Sequence, residues 1–131
     1  MKWSRPFDRD AQAIWVESLI MGPDRATRRF ILVLDPGTPE TIIDWDLAAQ
    51  IGLDRSQSIG PARYHGMEGD QDGYYVLAPD LEIFGRSVKG FKLACCPFNK
   101  KLETDGLLGL DYLRNTVLTL DFKHGRVTLE D

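Results

Sequence analysis

Apolar and polar positions along this chain predict many short strands and little helix. Ala13-Ile14-Trp15-Val16-Glu17-Ser18-Leu19-Ile20 is rich in strand formers. Met21 to Thr27 carries Gly22-Pro23 and reads as a turn. Arg28 to Leu34 returns as a second arm, which makes a long hairpin. Its end, Ile31-Leu32-Val33-Leu34-Asp35-Pro36-Gly37-Thr38, is an unbroken apolar run suited to a strand buried on both faces, and it terminates in a carboxylate. Pro36 and Gly37 stop the strand, because proline has no ladder N–H and glycine accepts a sharp turn. A charge in such a place calls for a partner or a use.

Further along, Glu40 to Ile43 reads as a short strand and Asp44 to Ile51 as a helix. Asp44 is the expected N-cap, Leu47, Ala48 and Ile51 share one face, and Gly52 is the expected stop. Residues 54 to 73 are polar and glycine-rich. Tyr74–Ala78, Leu81–Phe84 and Val88–Cys95 predict three more strands, with Gly85-Arg86-Ser87 as a turn. After a loop from Pro97 to Asp105, the pair Leu107-Leu108 precedes Gly109, and Leu110 to Arg114 predicts one or two helical turns. Val117–Phe122 and Val127–Leu129 pair as a closing hairpin. Many short strands with two short helices predict an all-β closed sheet or barrel. No repeat of fixed period is present.

At 131 residues the chain fits one domain able to bury a core. Residues 1 to 10 mix charge and aromatics without period and are expected to be a flexible arm, leaving 11 to 131 as the folded domain. The net charge of −4, with no Lys/Arg cluster, argues against a nucleic-acid partner. The first residues carry no apolar h-region, so neither a signal peptide nor a membrane partner is expected. Cys95 and Cys96 are adjacent, with Cα atoms about 3.8 Å apart, closer than a relaxed disulfide spans. Both read as reduced, buried strand residues, and a cytoplasmic location is expected.

Several chemistries lack their residues. His65 and His124 have no ligand spacing with Cys or a second His, so no metal site is expected. No serine sits in a nucleophile elbow. Glu68, Asp70 and Asp72 resemble part of a calcium loop, but the later acidic ligand is missing.

Two motifs remain, and together they are informative. Phe30 to Thr38, a short strand, and Leu47-Ala48-Ala49-Gln50-Ile51-Gly52-Leu53 resemble the active-site half of retropepsin-like aspartic proteases. There an Asp-Thr/Ser-Gly-Ala/Ser loop precedes a helix ending in Leu-Gly-Leu or similar. Asp105-Gly106-Leu107-Leu108-Gly109-Leu110-Asp111-Tyr112-Leu113 is similar to that family's apolar-apolar-Gly segment, and the closing hairpin is similar to its last strands. Order and spacing agree over about residues 12 to 130.

The resemblance implies an acid-protease-like barrel with a flap hairpin. It also implies a homodimer in which Asp35 of each copy contributes one carboxylate to a dyad that hydrolyses a peptide or protein substrate, with no cofactor. Pro36, Gly37 and Thr38 would form the active-site loop, and Leu107, Leu108 and Gly109 the loop supporting it. Thr38 stands where the family has Ala or Ser; its hydroxyl would bond Asp35 or, alternatively, its own turn. Arg63 to Tyr74 falls at the flap, where Tyr64, His65, Gly66 and Met67 would touch substrate, the alternative being a solvent loop. Asp111 is expected to be structural, as a cap or a partner for Arg114. Pro36 departs from the family's Thr or Ser, whose hydroxyl and N–H bond across the dimer axis. It keeps open a second reading, a catalytically inactive dimer that binds extended peptide or serves as a dimerisation module.

Overall fold

The structure is a computed structural model that describes residues 1–66, 69–98 and 103–131, with side chains left aside for residues 64–71. The expected hairpin is its frame. β2 (Trp15–Met21) pairs antiparallel with β3 (Thr27–Leu34) from Trp15↔Val33 to Met21↔Thr27. Strand alternation sends Val16, Ser18 and Ile20 inward from β2 and Phe30, Leu32 and Leu34 inward from β3. The buried Ser18 hydroxyl is satisfied, donating to the Phe30 carbonyl at 3.0 Å. Ile31 and Val33 point the other way and are only half covered. The apolar run of β3 is therefore buried on one face, not two.

β4 (Ile42–Asp44), β6 (Gly69–Ile83), β7 (Arg86–Cys96) and β8 (Gly106–Leu108) complete the sheet in the order β2-β3-β8-β4-β7-β6, with β5 (Gly60–Gly66) beyond β6. β6 also pairs with β2, from Ser18↔Ile83 to Met21↔Asp80. That pairing closes a six-stranded barrel, as the all-β reading predicts. The core includes Leu32, Ile43, Val76, Leu93, Leu108 and Tyr112. Two short helices, α1 (Trp45–Ala49) and α2 (Leu110–Leu113), lie against it.

Three local expectations are corrected. The strands expected at Tyr74–Ala78 and Leu81–Phe84 are one continuous β6. Pro79 does not break it because Pro79 has no register partner in any ladder: pairing with β5 ends at Tyr75, pairing with β2 begins at Asp80, and β7 skips from Ala78 to Asp80. The helix after Asp44 covers Trp45–Ala49, and the Asp44 side chain does not cap it. Its carboxylate accepts the Phe98 N–H at 3.3 Å instead. Gly52 does end the segment, with φ +83°.

The third correction concerns the first ten residues. Lys2–Pro6 is strand β1, paired from Lys2↔Glu130 to Pro6↔Arg126 with β10 (Arg126–Glu130). β10 in turn pairs with β9 (Val117–Asp121), giving a second, three-stranded sheet. Trp3 and Phe7 pack on the main core, and Phe7 meets Phe122 edge-on at 5.5 Å. Aromatic burial thus holds a stretch whose charges suggested a loose arm, and the folded unit begins at β1.

Candidate active site

β3 delivers Asp35 to the end of the barrel, and β8 fixes it there. β8 runs parallel to β3 (Leu32↔Gly106 to Leu34↔Leu108) and antiparallel to β4 (Ile42↔Leu107, Ile43↔Gly106). The expected supporting segment Leu107-Leu108-Gly109 therefore threads between the two strands that flank the Asp35 turn. Such an approach requires glycine at its two ends. A Cβ on Gly106 would stand 2.2 Å from the Ile42 carbonyl oxygen, and one on Gly109 would stand 2.6 Å from the Glu40 carbonyl.

The turn itself is closed by backbone donors. The Asp35 N–H donates to the Leu108 carbonyl at 2.9 Å, and the Thr38 N–H to the Asp35 carbonyl at 3.1 Å. The Gly37 N–H donates to Asp35 Oδ1 at 3.0 Å. Asp35 is half-buried, while Pro36 and Gly37 are exposed. Thr38 is buried, and its hydroxyl faces the Glu40 carbonyl at 3.4 Å. Of the two expectations for Thr38, the local turn contact is the one formed.

Behind the turn lies a network that sequence reading only half anticipated. Thr41 is fully buried. Its hydroxyl donates to Asp111 Oδ1 at 2.7 Å and accepts the Gly109 N–H at 3.1 Å, while its own N–H donates to Asp111 Oδ2 at 3.0 Å. Asp111 also accepts the Tyr112 N–H at 2.9 Å. Asp111 is structural, as expected, but its partner is Thr41; among the described residues no ion pair joins it to Arg114. On the other side of β3, Asp105 Oδ2 accepts the Ile31 N–H at 2.9 Å. Neither Thr41 nor Asp105 was singled out from sequence. A threonine beside Ile42 reads as a strand former, and its partners lie about 70 positions away.

A cleft of about 220 Å³ opens at Asp35, lined also by Gly37, Glu40, Ile42, Arg63 and Ala94. A second hollow of about 300 Å³ shares Pro39, Glu40 and Ala94 with it and continues towards Tyr75, Phe91 and Arg114. Larger hollows of about 450 and 490 Å³ do not reach Asp35. Arg63 belongs to β5, so the β5–β6 hairpin borders the cleft where a flap was expected. Tyr64 and His65 follow Arg63 on β5, and Gly66 pairs with Gly69 at its end. Residues 69–73 of β6 pair with β5 alone, so this end of the hairpin runs beyond the ladder with β7. Met67 lies outside the described residues. Among the described residues no cluster of His, Cys, Asp and Glu is arranged to hold a metal. No described helix is long and apolar enough to cross a membrane.

A barrel with one strand threaded between the two that flank an Asp-x-Gly turn defines the acid-protease class of fold. The family model described as Aspartyl protease matches residues 22–112, and the chain belongs to that family. Solved structures agree on the fold. A retropepsin-like aspartic protease from Rickettsia conorii superposes with a TM-score of 0.71 at 15% identity, covering 98% of this chain and 89% of that one. The retroviral protease-like domain of Ddi1 from Leishmania major superposes with a TM-score of 0.61 at 18% identity, covering 90% of this chain and 88% of that one. No curated protein sequence matches the chain.

Proposed function

We propose that the protein is an aspartic endopeptidase that works as a homodimer, with Asp35 of each copy facing its twin. The observation that supports this is the setting of Asp35. Its backbone is held from within the chain, its side chain is half-buried at the mouth of a cleft, and the Pro36-Gly37 tip beside it is open to another molecule. Among the described residues one carboxylate per chain, Asp35, stands at the tip of such a turn, and in this reading the second comes from a second copy.

Two carboxylates brought together cannot both ionise cheaply and hold one proton between them, which is the established behaviour of aspartic proteases. The charged Asp35 takes a proton from a bound water as its oxygen attacks the scissile carbonyl carbon. The neutral Asp35 gives its proton to the carbonyl oxygen. The resulting diol collapses as the Asp35 that took the water's proton passes it to the amide nitrogen, the other Asp35 takes a proton back from a diol hydroxyl, and the C–N bond breaks. The β5–β6 hairpin, whose β5 strand carries Tyr64, His65 and Gly66, would close over the peptide and exclude water. Buried, free Cys95 and Cys96 support a reducing compartment such as the cytoplasm.

Cleavage of a mixed peptide library between about pH 3.5 and 7 tests the reading. Hydrolysis should be blocked by a statine-type inhibitor and fall about 10²- to 10⁴-fold in Asp35→Asn. A chain that stays monomeric at every concentration and cuts nothing refutes it.

A further inference from the structure

We propose that Glu40 is a specificity-determining residue that selects substrates carrying a lysine or arginine side chain beside the bond to be cut. The proposal rests on the peptidase reading above and adds a substrate class to it. Glu40 lies five positions beyond Asp35 and borders both hollows, so a side chain lodged next to Asp35 meets it.

Both halves of the residue are held in place. Its carbonyl is wedged where Gly109 leaves no room for a side chain. Its carboxylate accepts the Tyr75 hydroxyl through Oε2 at 2.6 Å. A half-buried carboxylate fixed in this way is a pre-formed acceptor that gives up little freedom on binding. Tyr75 is a neutral donor throughout the working range, because the bond to Glu40 and burial push its hydroxyl up to about 12.

Three cations line the two hollows: Arg63 and Lys92 are engaged elsewhere, and Arg114 shares the second hollow with Glu40 without an ion pair to it among the described residues. Arg63 Nε pairs with Asp72 Oδ1 at 3.2 Å. The Lys92 ammonium sits 4.1 Å from the centre of the Tyr75 ring. Among the described residues no ion pair involves Glu40, and its Oε1 accepts no hydrogen bond. The cleft at Asp35 thus presents two carboxylates, with Arg63 held by Asp72 at its border and Ile42 and Ala94 as apolar wall. Long cationic side chains suit such a site, since the methylene stem covers apolar surface while the head makes a charge-assisted bond.

The test uses the full chain and peptides that differ at one position near the cut, carrying lysine, norleucine or glutamate. The kcat/KM ratio of lysine to norleucine should be about 10- to 100-fold in the native protein. It should collapse towards one in Glu40→Gln, whose amide oxygen still accepts from Tyr75, and glutamate should become the preferred residue in Glu40→Lys. The same peptides with an uncleavable reduced bond, titrated into the Asp35→Asn protein, give the preference as binding. Cleavage without lysine preference at any position overturns the role of Glu40 and leaves the peptidase reading standing. A lysine preference in binding without cleavage by the native protein supports Glu40 and removes the peptidase. Neither cleavage nor a preference in binding overturns both.

Discussion

Replacing Thr41 with valine tests whether the network behind the Asp35 turn holds the fold. The two side chains have nearly the same shape, so the site stays filled and only the hydroxyl is lost. With it go the 2.7 Å bond to Asp111 and the acceptor for the Gly109 N–H at 3.1 Å, in a position fully closed to water. A hydrogen bond to a charged group contributes about 1.5–3 kcal/mol, and an orphaned buried N–H costs about 1–3 kcal/mol. The extra methyl returns roughly 1 kcal/mol of burial. The expected net loss is therefore about 3 kcal/mol. With a urea m-value of about 2 kcal/mol per molar, the midpoint should fall by about 1.5 M. Thr41→Ser keeps the hydroxyl and removes a methyl, so it should cost only about 1 kcal/mol. Equilibrium urea unfolding followed by tryptophan fluorescence measures both. Serine more damaging than valine, or a valine shift below about 0.3 M, would refute the reasoning, because packing rather than hydrogen bonding would then hold the turn.

Two further outcomes are expected. Gly109→Ala should destabilise by about 1–3 kcal/mol in the same urea assay, since the new Cβ would meet backbone at Glu40 that has no flexible end to move aside; an unchanged midpoint would mean that β8 is less tightly seated than the geometry states. Burial pushes the Cys95 thiol up to about 12 and the Cys96 thiol up to about 11, so neither should react with a thiol reagent at pH 8 until the chain unfolds. Because both folded values lie above the unfolded one, this contribution to stability is complete below about pH 9 and is lost as pH rises towards the folded values; thermal melts between about pH 8 and 11 should show a falling midpoint, smaller in Cys95→Ala.

Sequence reading works here where the cause is local. The β2–β3 hairpin, the break at Asp35, the turn at Gly52 and the closing hairpin each carry their own punctuation within a few residues. It fails where a distant partner overrides a local signal. Asp44 is a good N-cap by type, yet its carboxylate is taken by the Phe98 N–H, 54 positions on. Pro79 reads as a strand end, but no ladder requires its N–H. Lys2–Pro6 becomes a strand only because β10 reaches it from the other end of the chain. The position of Asp35 was legible, whereas Thr41, Asp105 and Tyr75 were not, since each acts through a partner far away in sequence.

Pro36 becomes less of a handicap once the donors of its turn are counted. The N–H groups of Asp35, Gly37 and Thr38 are all used within the chain, on Leu108, on the Asp35 carboxylate and on the Asp35 carbonyl. The resemblance assigns position 36 a bond across the dimer axis, and proline has neither hydroxyl nor N–H to make it. What that bond would supply is association, not the placement of Asp35, which β8 and the Thr41–Asp111 network already fix. In a dimer of this chain the two functions separate. In the proposed dimer the strength of association would have to come from surface outside the turn, with the exposed Pro36 ring adding only apolar area. If the loss of that bond weakens the proposed dimer, peptidase activity should rise with the square of protomer concentration until the two-copy state is filled.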